Sequence, residues 1–107
     1  MILFSKYLFL HSFNAIAIWP FIILKNKDLK NDDVLMNHEK IHLQQQKEML
    51  WVFFFLWYLI EYFVKLLKYK KLIFAYRNLS FEREAYANEK DKIFLNKRRF
   101  CNFLKYL

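Results

Sequence analysis

The chain contains no glycine, one proline and one cysteine in 107 residues. The missing glycine excludes a dinucleotide-binding fingerprint, a phosphate-cradling P-loop, a glycine-flanked nucleophile elbow and an EF-hand loop. Each of those needs backbone at positive φ or in close approach to a ligand. The single cysteine, Cys101, excludes an internal disulfide, so nothing points to an oxidising compartment; it reads as a buried, unreactive thiol. Disorder is excluded from the other side, by 13 Phe, 7 Tyr and 3 Trp. At this length one domain with a modest core is expected, spanning 1–107. Any chemistry must come from side chains.

Acidic residues are also scarce: 10 Asp+Glu against 18 Lys+Arg leave a net charge of +8. Residues 1–37 sum to +1 and residues 38–64 to −1, so the whole excess lies in residues 65–107. The clusters Lys68-Tyr69-Lys70-Lys71 and Lys97-Arg98-Arg99 suit an anionic membrane surface. Nucleic acid is the weaker partner, because these cations follow no known binding module. A solvated lysine-rich face is the plain alternative. Residues 1–24 are apolar, but no positive segment precedes them and Lys6, His11, Ser12 and Asn14 interrupt them. That is a poor secretory signal, and the segment reads as folded structure. A peripheral or monotopic membrane location is favoured over a cytoplasmic one.

Residues 14–24 (N-A-I-A-I-W-P-F-I-I-L) are dominated by β-branched and aromatic side chains, predicting one or two strands with Pro20 at an edge or bend. Residues 2–10 are a pairing-strand candidate. Polar residues 25–33 form a loop, and Asp32 or Asp33 caps a helix over 34–48, where Leu35, Ile41 and Leu43 fall at helical spacings. An aromatic, apolar helix over 49–67 follows, then a turn at Lys68–Lys71 and a short helix over 72–77. Asn78-Leu79-Ser80 offers a cap for a helix over 80–95, and 96–107 is a basic tail with a final turn. The expected fold class is α+β: mainly α-helical, with a small N-terminal strand or hairpin beside the helix of 34–48.

His38-Glu39-Lys40-Ile41-His42 is H-E-x-x-H on that helix. Residues four apart on a helix lie one above the other, so both imidazoles can meet one zinc ion (Zn2+). The glutamate between them can then serve as general base. Such a site takes a third protein ligand. The candidates are Glu82, Glu84 and Glu89, and more remotely His11. Gln44, Gln45 and Gln46 read as solvated helix formers, one of them a possible cleft residue.

Around the third ligand, Phe81-Glu82-Arg83-Glu84-Ala85-Tyr86 resembles the second signature of membrane-linked gluzincins, the CAAX-prenyl-protease-like and beta-lactam-sensor-like metallopeptidases. In those families H-E-x-x-H precedes an apolar helix and then E-x-x-x-D, often with alanine before the aspartate. The resemblance covers residues 34–90. It implies His38, His42 and Glu82 as metal ligands and Glu39 as catalytic base, and Ala85 matches the alanine. Tyr86 stands where the aspartate is expected; it could hold a ligand histidine through its phenol but brings no charge. Glu84 is the alternative ligand, about 200° round the helix from Glu82, and whichever glutamate is not the ligand is then a solvated residue. The strand residues Ile16, Ile18, Phe21 and Ile22 resemble the edge on which zincins lay an extended peptide substrate.

The metal reading constrains the apolar helix. A single crossing by residues 49–67 would put the histidines and Glu82 on opposite sides of a bilayer. A straight helix from His42 to Leu67 would run about 37 Å, which residues 68–81 recover only when nearly extended. A break between Met49 and Tyr62 is therefore expected, folding the aromatic segment back over the metal helix. Three functions follow: a zinc metallopeptidase acting on peptides or proteins, a zinc-binding protein without turnover, and a small basic membrane protein whose H-E-x-x-H is accidental.

Overall fold

In the computed structural model, which describes residues 2–5 and 14–107, the chain opens with a three-stranded sheet. His11 and most of the expected strand over 2–10 lie outside the described residues. β2 (Ala15–Ile18) and β3 (Phe21–Leu24) form an antiparallel hairpin that turns at Trp19-Pro20. β1 (Ile2–Phe4) pairs parallel to the far side of β3, giving the order β1-β3-β2. The turn corrects one expectation. Phe21 and Ile22 belong to β3, the central strand, whose two edges are both paired, so of the four edge candidates only Ile16 and Ile18 lie on an outer strand of the described sheet. Side chains alternate across the pleat: Ala17 and Ile22, opposite one another in the register, are both buried, whereas Ile16 is exposed.

A 3₁₀ turn at Lys27–Asn31 leads into α1 (Asp33–Glu48). Asp32 caps it, its carboxylate accepting from the Leu35 amide at 3.1 Å. That bond satisfies one of the free amides of the first turn. Asp33 pairs instead with Lys92 at 3.2 Å. Met36 packs with Ile22 and Leu24 in the cluster that joins sheet and helix.

The expected break follows at once. Leu50 and Trp51 take φ of 54° and 59°, and α2 (Val52–Tyr69) leaves at 111° to α1. With no glycine in the chain, two bulky side chains occupy left-handed backbone, at a cost of about 1–2 kcal/mol each. Phe54 on the inner face of α2 joins Phe81 and Phe103 in a buried aromatic cluster, its ring 4.4 Å from that of Phe81. α3 (Leu72–Arg77) and α4 (Ser80–Asn88) follow the left-handed Lys70.

Neither Asn78 nor Ser80 caps α4 with its side chain. The cap comes from α2: Glu61 accepts from the Ser80 amide at 2.5 Å and from its hydroxyl at 2.6 Å. A carboxylate at the positive end of a helix explains why an apolar helix carries a buried acid. α4 also ends earlier than the expected residue 95. The Asn37 side-chain amide donates to the carbonyls of Asn88, Glu89 and Asp91 (3.3, 2.8 and 3.0 Å). It thereby holds the chain in a turn before α5 (Phe94–Lys97).

The tail is structural. Arg98 lies buried between Glu84 and Glu48, and Phe103, in a 3₁₀ turn at Asn102–Tyr106, completes the aromatic cluster. Cys101 is half-buried beside it, and burial, then Glu48, push its thiol above the ordinary range.

Candidate metal centre

α1 places His38 and His42 one turn apart, and α4 sets Glu82 against both. The two Nε2 atoms are 3.2 Å apart. Glu82 Oε1 lies 3.3 Å from His38 Nε2, and Oε2 lies 3.1 Å from His42 Nε2. All three residues are buried, and they form the one His/Cys/Asp/Glu group among the described residues that could hold a metal ion.

The spacing fits a cation. Donors about 2.0–2.1 Å from one zinc at tetrahedral angles stand about 3.3 Å from each other. The outer nitrogens are already committed: His38 Nδ1 to Glu89 Oε2 at 2.7 Å, and His42 Nδ1 to Gln45 Oε1 at 2.8 Å. With Nδ1 donating, each neutral ring turns a lone pair on Nε2 toward Glu82. Two lone pairs so close, facing a carboxylate, need a proton or a metal between them.

Glu89, and not the residue at position 86, is the carboxylate that pairs with the outer nitrogen of His38. It reaches His38 because Asn37, the residue before that histidine, gathers the carbonyls where α4 ends. Tyr86 meets the same imidazole through its ring, 4.5 Å away edge to face, with the Arg77 guanidinium over its far side at 4.4 Å.

Glu39 is buried beside the histidines and has no hydrogen-bond partner among the described residues, yet no buried side-chain polar atom there is left unsatisfied. Burial pushes its carboxyl above the usual range, with His42 and His38 opposing. Tyr58, from the inner face of α2, donates to Glu82 Oε2 at 3.4 Å, and burial keeps its phenol protonated.

Glu84 is not a solvated residue. Fully buried, it accepts from Arg98 Nε at 2.5 Å, Arg98 Nη2 at 3.0 Å, Asn102 at 3.0 Å and Gln45 at 2.8 Å. Gln45 and Gln46 are likewise buried rather than solvated. Gln45 links His42 to Glu84. Gln46 lies one turn beyond His42 and grips the outer edge of β2, donating to the Ala17 carbonyl at 2.7 Å and accepting from the Trp19 amide at 2.6 Å. Its amide makes there the pair of bonds that a peptide group of an added strand would make.

The metal-free protein has a pH signature. Burial opposes ionisation of both partners, but Glu82 holds His42 up to about 9, and the two imidazoles hold Glu82 down to about 2. The His42 contribution to stability is fully present below its ordinary value of 6.5 and is lost as pH rises through about 9. Glu39, also raised, acts in the same direction. Chelator-treated protein should therefore lose stability steadily between about pH 6.5 and 9 in urea denaturation; a midpoint that rises over this range would contradict the His42–Glu82 pairing.

Compared with protein-family models, curated proteins and solved structures, the chain matches none.

Proposed function

We propose that the protein is a zinc-dependent metallopeptidase, with His38, His42 and Glu82 as metal ligands and Glu39 as general base. The observation that carries the reading is the buried trio with mutual spacings of 3.1–3.3 Å, beside a glutamate, Glu39, that accepts no hydrogen bond from any side chain among the described residues. Two imidazoles and one carboxylate match the donor set of catalytic zinc, leaving room for one more ligand. Zinc, when bound, supplies a Lewis acid that makes a water acidic enough to ionise near neutral pH. Glu39 takes the proton of the attacking water and returns it to the departing amine. Glu89 and Gln45 fix the tautomer and orientation of the two imidazoles. Tyr58 steadies Glu82 with a phenol that stays protonated. An extended peptide would pair with the outer edge of β2, the strand of Ile16 and Ile18.

A second reading, metal binding without turnover, is favoured by one observation: Gln46 already occupies that edge. Elemental analysis and peptide-library cleavage separate the two. About one zinc per chain, lost in His42→Ala, together with cleavage that a chelator stops, is the expected result. Zinc without cleavage of any peptide favours the second reading, and failure to retain zinc after reconstitution overturns both.

A further inference from the structure

α2 is amphipathic in the wrong sense for a helix that faces water. Its polar residues Tyr58, Glu61, Tyr62 and Lys65 are turned toward the body of the protein, while every exposed position from Val52 to Leu67 is apolar. Phe53, Leu56, Leu59, Ile60, Phe63 and Leu67 are each more than half bare. Monomeric proteins in water rarely expose so continuous an apolar face. The same face opens an apolar cavity of about 540 Å³ between α2 and Leu107, in which Glu61 and Lys65 are the only ionisable side chains among the described lining residues.

Charge identifies what covers this face. Lys68, Lys70 and Lys71, where α2 turns into α3, are exposed and meet no carboxylate within 4 Å among the described residues. The one acid on α2, Glu61, is committed to Ser80. A second copy would thus bring the same lysines and no carboxylate from its own α2 face to receive them. Phosphate headgroups beside acyl chains supply both missing complements. Trp51 and Trp57, each partly exposed, are residues that gather at such a boundary.

We propose that the outer face of α2, with Lys68, Lys70 and Lys71, docks on an anionic lipid bilayer with the helix lying in the plane of the interface. No single helix among the described residues is long and apolar enough to cross a membrane. α2 is also stapled to α4 by Glu61–Ser80 and Tyr58–Glu82, so a crossing would drag buried polar groups into hydrocarbon. The assignment does not depend on peptidase activity.

Flotation of the full-length, zinc-reconstituted protein tests it, with vesicles of phosphatidylcholine alone and of an equal mixture with phosphatidylglycerol. The protein should float with the anionic vesicles, with a blue shift of tryptophan emission, and release with added salt. Phe63→Glu with Leu59→Glu, both at exposed positions, should abolish flotation while circular dichroism stays unchanged. Lys68→Glu with Lys71→Glu should weaken binding about tenfold or more. Absence of flotation, equal binding to both vesicles, or binding indifferent to the α2 substitutions overturns the proposal. So does a stable dimer in light scattering that Phe63→Glu dissociates and that binds no vesicles.

Discussion

Replacing Arg98 with methionine should cost about 3–5 kcal/mol of folding stability, read as a lower midpoint in urea with an unchanged slope. The Arg98 guanidinium is almost wholly shielded and bridges two acids, Glu84 and Glu48, the latter at 2.7 Å. Burial disfavours its charge, but these carboxylates more than compensate and raise its pKa. Methionine keeps the volume and leaves both carboxylates without their cation. Among the described residues, Glu48 keeps the Cys101 amide and Gln44, and Glu84 keeps Gln45 and Asn102. Adding Glu84→Gln should recover part of the loss, because a neutral amide needs no counter-charge. The effect should reach the metal centre, since Gln45 joins Glu84 to His42. An Arg98→Met protein as stable as the parent would show that the tail is not part of the core.

Glu39→Gln should leave zinc bound at about one per chain while lowering kcat/KM for any cleaved peptide by about 10²- to 10⁴-fold. The glutamate touches neither imidazole nitrogen, so its amide has no reason to disturb Nε2, Nδ1 or Glu82. What the amide loses is the capacity to accept a proton and release it again. Its shape is retained, and a buried amide is easier to accommodate than a buried carboxylate. Stability should therefore hold or rise slightly, which separates a chemical defect from a folding one. Cleavage that persists at the parental rate in this variant would remove Glu39 from the mechanism.

The parts legible in the sequence are those written in local spacing. H-E-x-x-H sets both histidines on one helical face with no help from the rest of the chain, and the pair Asp32-Asp33 announces the helix start. The break between Met49 and Tyr62 followed from distance once the histidines and Glu82 were required to meet, because a straight continuation would strand residues 80–90 too far away. Illegible parts depend on partners remote in the chain. Asn37 ends α4 early from more than fifty positions away, and only that turn delivers Glu89 to His38. Gln45 and Gln46 read as solvated, Glu84 as a rival ligand or a solvated residue, and Arg98 as part of a surface cation cluster, because polar residues are usually exposed. Their burial requires one another, and no single residue among them signals it. Phe21 and Ile22 read as an edge because a sequence does not say which strand of a hairpin acquires a third neighbour.

The amide of Gln46 gives the β2 edge a resident competitor. An arriving peptide backbone would exchange two hydrogen bonds already formed for two of the same kind, instead of satisfying bare groups. Strand pairing near Ala17 and Trp19 then contributes little net free energy, because what is gained is close to what is given up. Whatever selects an occupant must act through its side chains. A weak, sequence-indifferent backbone match, which would hold any extended chain, is suppressed by a residue carried on α1, the helix of His38 and His42.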